Sequence, residues 1–204
     1  MADDSSSGHR LELRTDRLLL RAWDPADLAP FAAINADPRA RRWYPGLEDR
    51  PTSDASVQHF QDHHARHGFT FWAVEVITSE RGPARFIGST GLITPSFDPP
   101  FEHDDPLVEI GWRLHPDWWG LGLATEAATA CLQHGFAALG FTEILAFTVP
   151  PNLASQAVMQ RIGMRYQGVF EHPKAQGAWW GPHVLYRAIP GRNGLGQPGV
   201  GGDS

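Results

Sequence analysis

Apolar positions change period several times along the chain, the mark of helices and strands in alternation. Arg17 to Ala22 (RLLLRA) suits a strand. Asp24-Pro25 then offers a helix start, with Asp as cap and Pro at the first helical position, and Leu28, Phe31, Ala32 and Ile34 are spaced for one face. A second helix, polar and histidine-rich, is predicted around Thr52 to His67. Phe71 to Ile77 and Arg85 to Ile93 read as strands joined by a Ser/Gly/Pro turn. Thr94 to Pro106, with four prolines, reads as a loop, and Leu107 to Leu114 (LVEIGWRL) as a strand.

In HPDWWGLGLATEAATACLQHGFAALG, helical spacing unites Ala124, Ala127, Ala128, Cys131, Leu132, Gly135, Ala138 and Leu139, and Gly140 supplies a C-terminal cap. A buried strand from Ile144 to Val149 follows, then a short helix from Asn152 to Ile162 that stops at Gly163. Strands near Arg165 to Phe170 and His183 to Ile189 close the pattern. The order βααβββαβαββ predicts a mixed α/β (α+β) domain, one mixed sheet with helices against it, over residues 10–190. Residues 1–9 and the Gly-rich 191–204 read as flexible tails.

Composition changes the picture mainly by exclusion. A chain of 204 residues with 42% hydrophobic and 20% charged residues can bury a core and is not disordered. A net charge of −6 argues against a dedicated nucleic-acid binder, which needs clustered Lys and Arg. No apolar run approaches the ~20 residues of a membrane span. The start, MADDSSSGHR, is unlike a signal peptide, so a cytoplasmic protein is expected, as monomer or homodimer. The single cysteine, Cys131, forms no internal disulfide and no cysteine-based zinc site.

The chemistry concentrates where a strand, Gly-x-Gly-x-Ala and a helix meet. Gly120 and Gly122 permit close backbone approach, and the following helix offers unpaired N–H groups and a positive dipole end. Together these make a pyrophosphate cradle, although glycine pairs also make simple turns. The dinucleotide fingerprint fails because Thr125 stands at its third glycine, and no Gly-Lys-Ser/Thr exists for a P-loop.

EIGWRLHPDWWGLGLATEA, the helix after it and FTVPPNLASQAVMQRIGMRYQG resemble the GCN5-related N-acetyltransferase (GNAT) superfamily. Together with the opening LRTDRLLLRAWDPADLAPFAAINADP they are similar to the branch that holds the RimJ and RimL ribosomal-protein acetyltransferases. The resemblance implies a mostly antiparallel central sheet of about seven strands flanked by about four helices. It also implies direct transfer of an acetyl group from acetyl-CoA to an amine, either a protein N-terminus or a small molecule. Pantetheine would pair with the backbone of Trp112, Arg113 and Leu114. Pyrophosphate would sit on the amides of Trp119, Gly120, Leu121, Gly122, Leu123, Ala124 and Thr125. Glu109 would act as base or orient the acceptor's ammonium. Asn152 and Ser155, matching the family's N-x-x-S, would hold the pantetheine arm and serve the sulfur as donor or acid. Trp43 lies in the region that shapes the acceptor pocket, beside Tyr44.

The sequence departs from the family at three places. Met159 occupies the position of the tyrosine that protonates the thiolate in many members. Asp117 places a carboxylate near the pyrophosphate, and Met164 replaces a phenylalanine.

Other candidates have blander readings. His63, His64 and His67 fit a solvated helix face better than a metal site, for which no HExxH pattern exists. Cys131 fits packing. The loop with Phe97, Phe101, Glu102, His103, Asp104 and Asp105 is either a variable surface or an acidic attraction for a cationic amine. Trp179 and Trp180 either cover the acceptor channel or make an oligomer contact. Two alternatives stay open: CoA binding without turnover, and another donor such as succinyl-CoA with Arg113 or Arg42 near its acyl end.

Overall fold

A computed structural model of the chain describes residues 12–77 and 84–191. Residues 1–9, most of 191–204 and the turn expected between the Phe71 and Arg85 strands lie outside them. The order is β1 (Leu13–Arg14), β2 (Leu18–Arg21), α1 (Leu28–Asn35), α2 (Arg50–His67), β3 (Phe71–Val76), β4 (Arg85–Ile93), β5 (Glu109–Leu114), α3 (Leu123–Ala137), β6 (Ile144–Thr148), α4 (Leu153–Arg161), β7 (Arg165–Glu171) and β8 (Pro182–Ala188). The eight strands form one sheet in the order β1-β2-β3-β4-β5-β6-β8-β7. The eighth strand beyond the expected seven is β1, whose two residues are too few for a periodic signal.

Local chemistry sets the element ends. Asp24 caps a 3-10 turn, Pro25–Asp27, by accepting from the Ala26 N–H, and α1 continues from that turn. The Arg21 guanidinium joins Asp27 and Glu75, at 2.7 and 2.8 Å, and so fixes β2, this turn and β3 to one another. Asp49 accepts from the Thr52 N–H, so α2 begins earlier than expected, at Arg50. At the end of α3, Gly140 takes φ +72° and lets the Phe141 N–H reach back to the Gly135 carbonyl.

α1 and α2 cover one face of the sheet with Trp23, Phe31, Ile34 and Val57, against Ala73. α3 and α4 cover the other through Ala127, Cys131, Leu132 and Met159, against Leu20, Val74, Ile110 and Ile144. Met164 is buried in this second core.

All neighbouring strands are antiparallel except β5 and β6, which are parallel and share one register pair, Glu109 with Leu145. Beyond that pair the two strands separate. β5 stays paired to β4 through Leu114, so one backbone edge from Gly111 to Leu114 faces an opening in mid-sheet. Among the described residues no helix is long and apolar enough to cross a membrane.

Candidate active site

The wide end of that opening is made of backbone. After β5 the chain passes a 3-10 turn, Pro116–Trp118, and then Gly120 and Gly122 at φ +75° and +78°. Gly122 is the N-cap of α3 and brings no side-chain cap. The first helical bond runs from the Glu126 N–H to the Gly122 carbonyl, so the amides of Leu123, Ala124 and Thr125 have no acceptor within the helix. Around Gly120 there is open space where a side chain would begin. This end fits an anion, by the helix dipole and three free donors.

The loop is fastened from a distance. Arg17 donates from Nη1 to the Leu121 carbonyl (2.9 Å) and from Nε to Glu126 (2.6 Å), across 104 and 109 residues. Thr15 donates to the other Glu126 oxygen at 2.5 Å. Burial raises the Glu126 carboxyl pKa, but the bonds from Thr15 and Arg17 outweigh it and hold it below the usual carboxylate range. The charge of a carboxylate in the first turn of α3 is thereby neutralised beside these free amides. Asp117 is likewise partnered, its carboxylate lying 3.4 Å from Arg39.

Along the opening, the Leu114 carbonyl is taken by the Trp119 indole N–H at 2.8 Å, while the Trp119 ring is half exposed. Trp112 packs against the α3-side core. Arg113 points to the opposite face, where Nη1 donates to Asn35 at 2.8 Å and the guanidinium lies 4.4 Å from the Tyr44 ring centre. Arg41 stacks on the same ring at 4.3 Å.

Asn152 caps α4. Its Oδ1 accepts from the Ser155 N–H (3.3 Å), and its Nδ2 donates to Thr148 Oγ1 (2.9 Å) and Ser155 Oγ (3.1 Å). The pair thus sits on the turn after β6, on the far bank of the opening from β5.

The narrow end is made of side chains. Glu109, in the last pair before the strands part, opens onto a cavity of about 240 Å³. Its walls come from α2 (His59), the end of β4 (Ile93), the following loop (Phe97), β6 (Phe147) and the segment before β8 (His172, Lys174). Glu109 keeps some exposed surface on the cavity, yet burial pushes its carboxyl pKa up to about 8. Among the described residues no hydrogen bond or ion pair reaches that carboxyl, so desolvation alone sets the shift.

Phe97 and Phe147 meet edge to face at 5.5 Å, and His172 lies 4.4 Å from Phe97. His172 Nδ1 accepts from the Lys174 N–H, which places any ring proton on Nε2. Burial, with the charges of His183 and Lys174, lowers its pKa.

A family model for the acetyltransferase (GNAT) domain matches residues 17–165. The chain belongs to the GNAT acetyltransferase family. Bacillus subtilis YkkB is 31% identical over 158 residues, covering 77% of this chain and 87% of YkkB. Among solved structures, an acetyltransferase from Agrobacterium tumefaciens is 28% identical, with TM-score 0.68 over 87% of this chain and 94% of that one. RimL, the ribosomal L7/L12 α-N-protein acetyltransferase, solved in complex with coenzyme A, shares the fold at 18% identity, with TM-score 0.68 over 88% and 98%.

In this GNAT chain the expected residues separate into groups. Glu109 and the glycine loop lie at opposite ends of one opening, with Asn152 and Ser155 on its far bank. Trp43 is not among the residues lining the Glu109 cavity; it lies partly buried under the Arg42 guanidinium, 4.7 Å from its ring centre. His63 is held by backbone on both sides, its Nδ1 against the Phe69 carbonyl (2.8 Å) and its Nε2 accepting from Thr94 (3.1 Å). Cys131 is buried, with its thiol pushed up by desolvation, and packs.

Sequence reasoning did not single out Thr15, Arg17 and Glu126, nor His59, Phe147, His172 and Lys174. One signal was available: Lys174 is the only lysine among 17 Lys and Arg residues.

Proposed function

We propose that this protein is an acetyl-CoA-dependent N-acetyltransferase that passes the acetyl group directly to an amine within a ternary complex. The observation that carries this reading is the placement of Glu109 at the closed end of the β5–β6 opening, with the open N-terminus of α3 at the wide end. The residues fit the donor at both ends. The amides of Leu123 to Thr125, with Trp119 to Gly122 before them, hold a pyrophosphate. The free edge of β5 at Trp112 and Arg113 pairs with an extended arm as an added strand does. Acetyl-CoA then supplies the activated acyl group as its thioester.

The chain's own work is proton handling and orientation. Glu109, with a pKa of about 8, in its ionised form takes a proton from an ammonium and makes the amine a nucleophile, directly or through water, increasingly as pH rises toward 8. The N–C bond forms as the C–S bond breaks, and the sulfur takes a proton. Met159 is buried, so Ser155 is the hydroxyl assigned to the sulfur. Arg113 is tied to Asn35 and Tyr44, which favours acetyl over a donor whose acyl group carries a carboxylate for Arg113 to bind.

The test is calorimetric titration with acetyl-CoA, succinyl-CoA, free CoA and NAD, followed by assay of thiol release with amines. Micromolar acetyl-CoA binding, NAD silence and amine-dependent thiol release are expected. Absence of binding by every CoA compound would overturn the reading.

A further inference from the structure

The cavity that carries Glu109 holds a charge that general base catalysis does not require. Lys174 lines it, and its Nζ donates to Ser96 Oγ at 2.8 Å. Among the described residues no carboxylate lies within ion-pair distance of that ammonium, although the chain as a whole is acidic at −6. Its charge also bears on the cavity wall, where after burial and His183 it lowers the pKa of His172. The residue choice is also selective: of 17 Lys and Arg residues only Lys174 is lysine, leaving 16 arginines. Lys174 is exposed, so its ammonium stands at the rim of the cavity as a compact charge on a flexible stem.

We propose that Lys174 binds an anionic group on the acceptor, so that the acceptor is a small amine carrying a carboxylate, of free amino-acid size. The proposal deepens the acetyltransferase reading and rests on it. A cavity of about 240 Å³ has room for a molecule of amino-acid size. The amine lies toward Glu109, which takes its proton. The carboxylate lies toward Lys174 at the rim. An apolar side chain rests on Phe97 and Phe147. A polyamine would bring a second cation against Lys174. A protein N-terminus would bring a neutral peptide group where the ammonium has no partner.

The experiment compares L-leucine, L-leucinamide and 3-methylbutylamine as acceptors for acetyl-CoA, with wild type, Lys174→Gln and Lys174→Arg. Wild type is expected to favour leucine over the amide by ~5-fold in kcat/KM, the effect of one accessible ion pair at its strongest. Lys174→Gln is expected to bring that ratio toward one, and Lys174→Arg to restore part of it. A wild-type preference for the amide or the amine would overturn the proposal, as would a ratio unchanged in Lys174→Gln. So would a gain of one acetyl group by Lys174 itself in intact mass, or a succinyl-CoA preference that Lys174→Gln abolishes, since each gives the residue another task. These outcomes all presuppose CoA binding and turnover, whereas failure of the enzyme reading shows as no CoA binding or as no thiol release with any amine.

Discussion

At the N-terminus of α3 the site is backbone: two glycines at positive φ, three amides without acceptors, and a loop fastened by Arg17 from 104 residues away. Around Glu109 it is side chains, brought from α2, β4, the following loop, β5, β6 and the segment before β8. The backbone end offers what any helix N-terminus offers an anion and admits many side chains provided the glycines remain. On the proposed reading, the side-chain end sets which proton moves and which acceptor fits. Generic recognition of the donor and particular recognition of the acceptor would then sit on different chemistry in one opening.

Glu109→Gln breaks the comparison most sharply. Removing a positioned base is expected to lower kcat by ~100-fold or more. Acetyl-CoA affinity by calorimetry is expected to hold, because the proposed anchor of the donor is at the other end. Equal losses in both would merge the two regions into one.

Gly122→Val attacks the other side. A β-branched residue at φ +78° is strained by ~1–3 kcal/mol, so acetyl-CoA affinity is expected to fall ~10-fold or more. Unchanged affinity in the titration would remove the loop from the donor site.

The pH profile sharpens the side-chain end. A carboxyl raised to about 8 is neutral below that pH and ionised above it, so the base form appears as pH rises. For one such group kcat/KM is expected to climb about fivefold from pH 7 to 8 and level off above 9. Glu109→Gln should lack that inflexion. The same shift makes folding stability fall as pH rises from the ordinary carboxylate value toward 8, since the native state holds the proton longer.

Arg17→Ala gives the smallest effect. Losing a bond to the Leu121 carbonyl is worth ~1 kcal/mol, so the KM for acetyl-CoA is expected to rise about threefold to tenfold with kcat little changed. A short acetyl thioester that lacks the pyrophosphate should show no such change. A rise with both donors would make Arg17 a general structural residue.

The same division decides what could be read from the residues alone. Elements with local signals were legible: the Asp24-Pro25 start, the small-residue face of α3, Gly140, and the glycine loop, all of which depend on neighbours in sequence. β1 escaped because its two residues carry no period. Glu109 was legible only through the resemblance, and its raised pKa was not, because the desolvation comes from chain that packs around it in three dimensions. The cavity joins His59 to Lys174 across the chain, and no motif spans that gap. Trp43 sits in the expected loop, but the cavity walls come from other segments.

The single register pair between β5 and β6 also has a mechanical side. Every other strand boundary carries two or more pairs, so pairing is thinnest along this line, which divides the sheet into a five-strand and a three-strand plate. A molecule laid along the gap rivets the plates together, and by mass action it raises the melting temperature as its concentration exceeds its dissociation constant. The protein's lifetime against proteolysis would then follow the supply of the molecule that fills the gap.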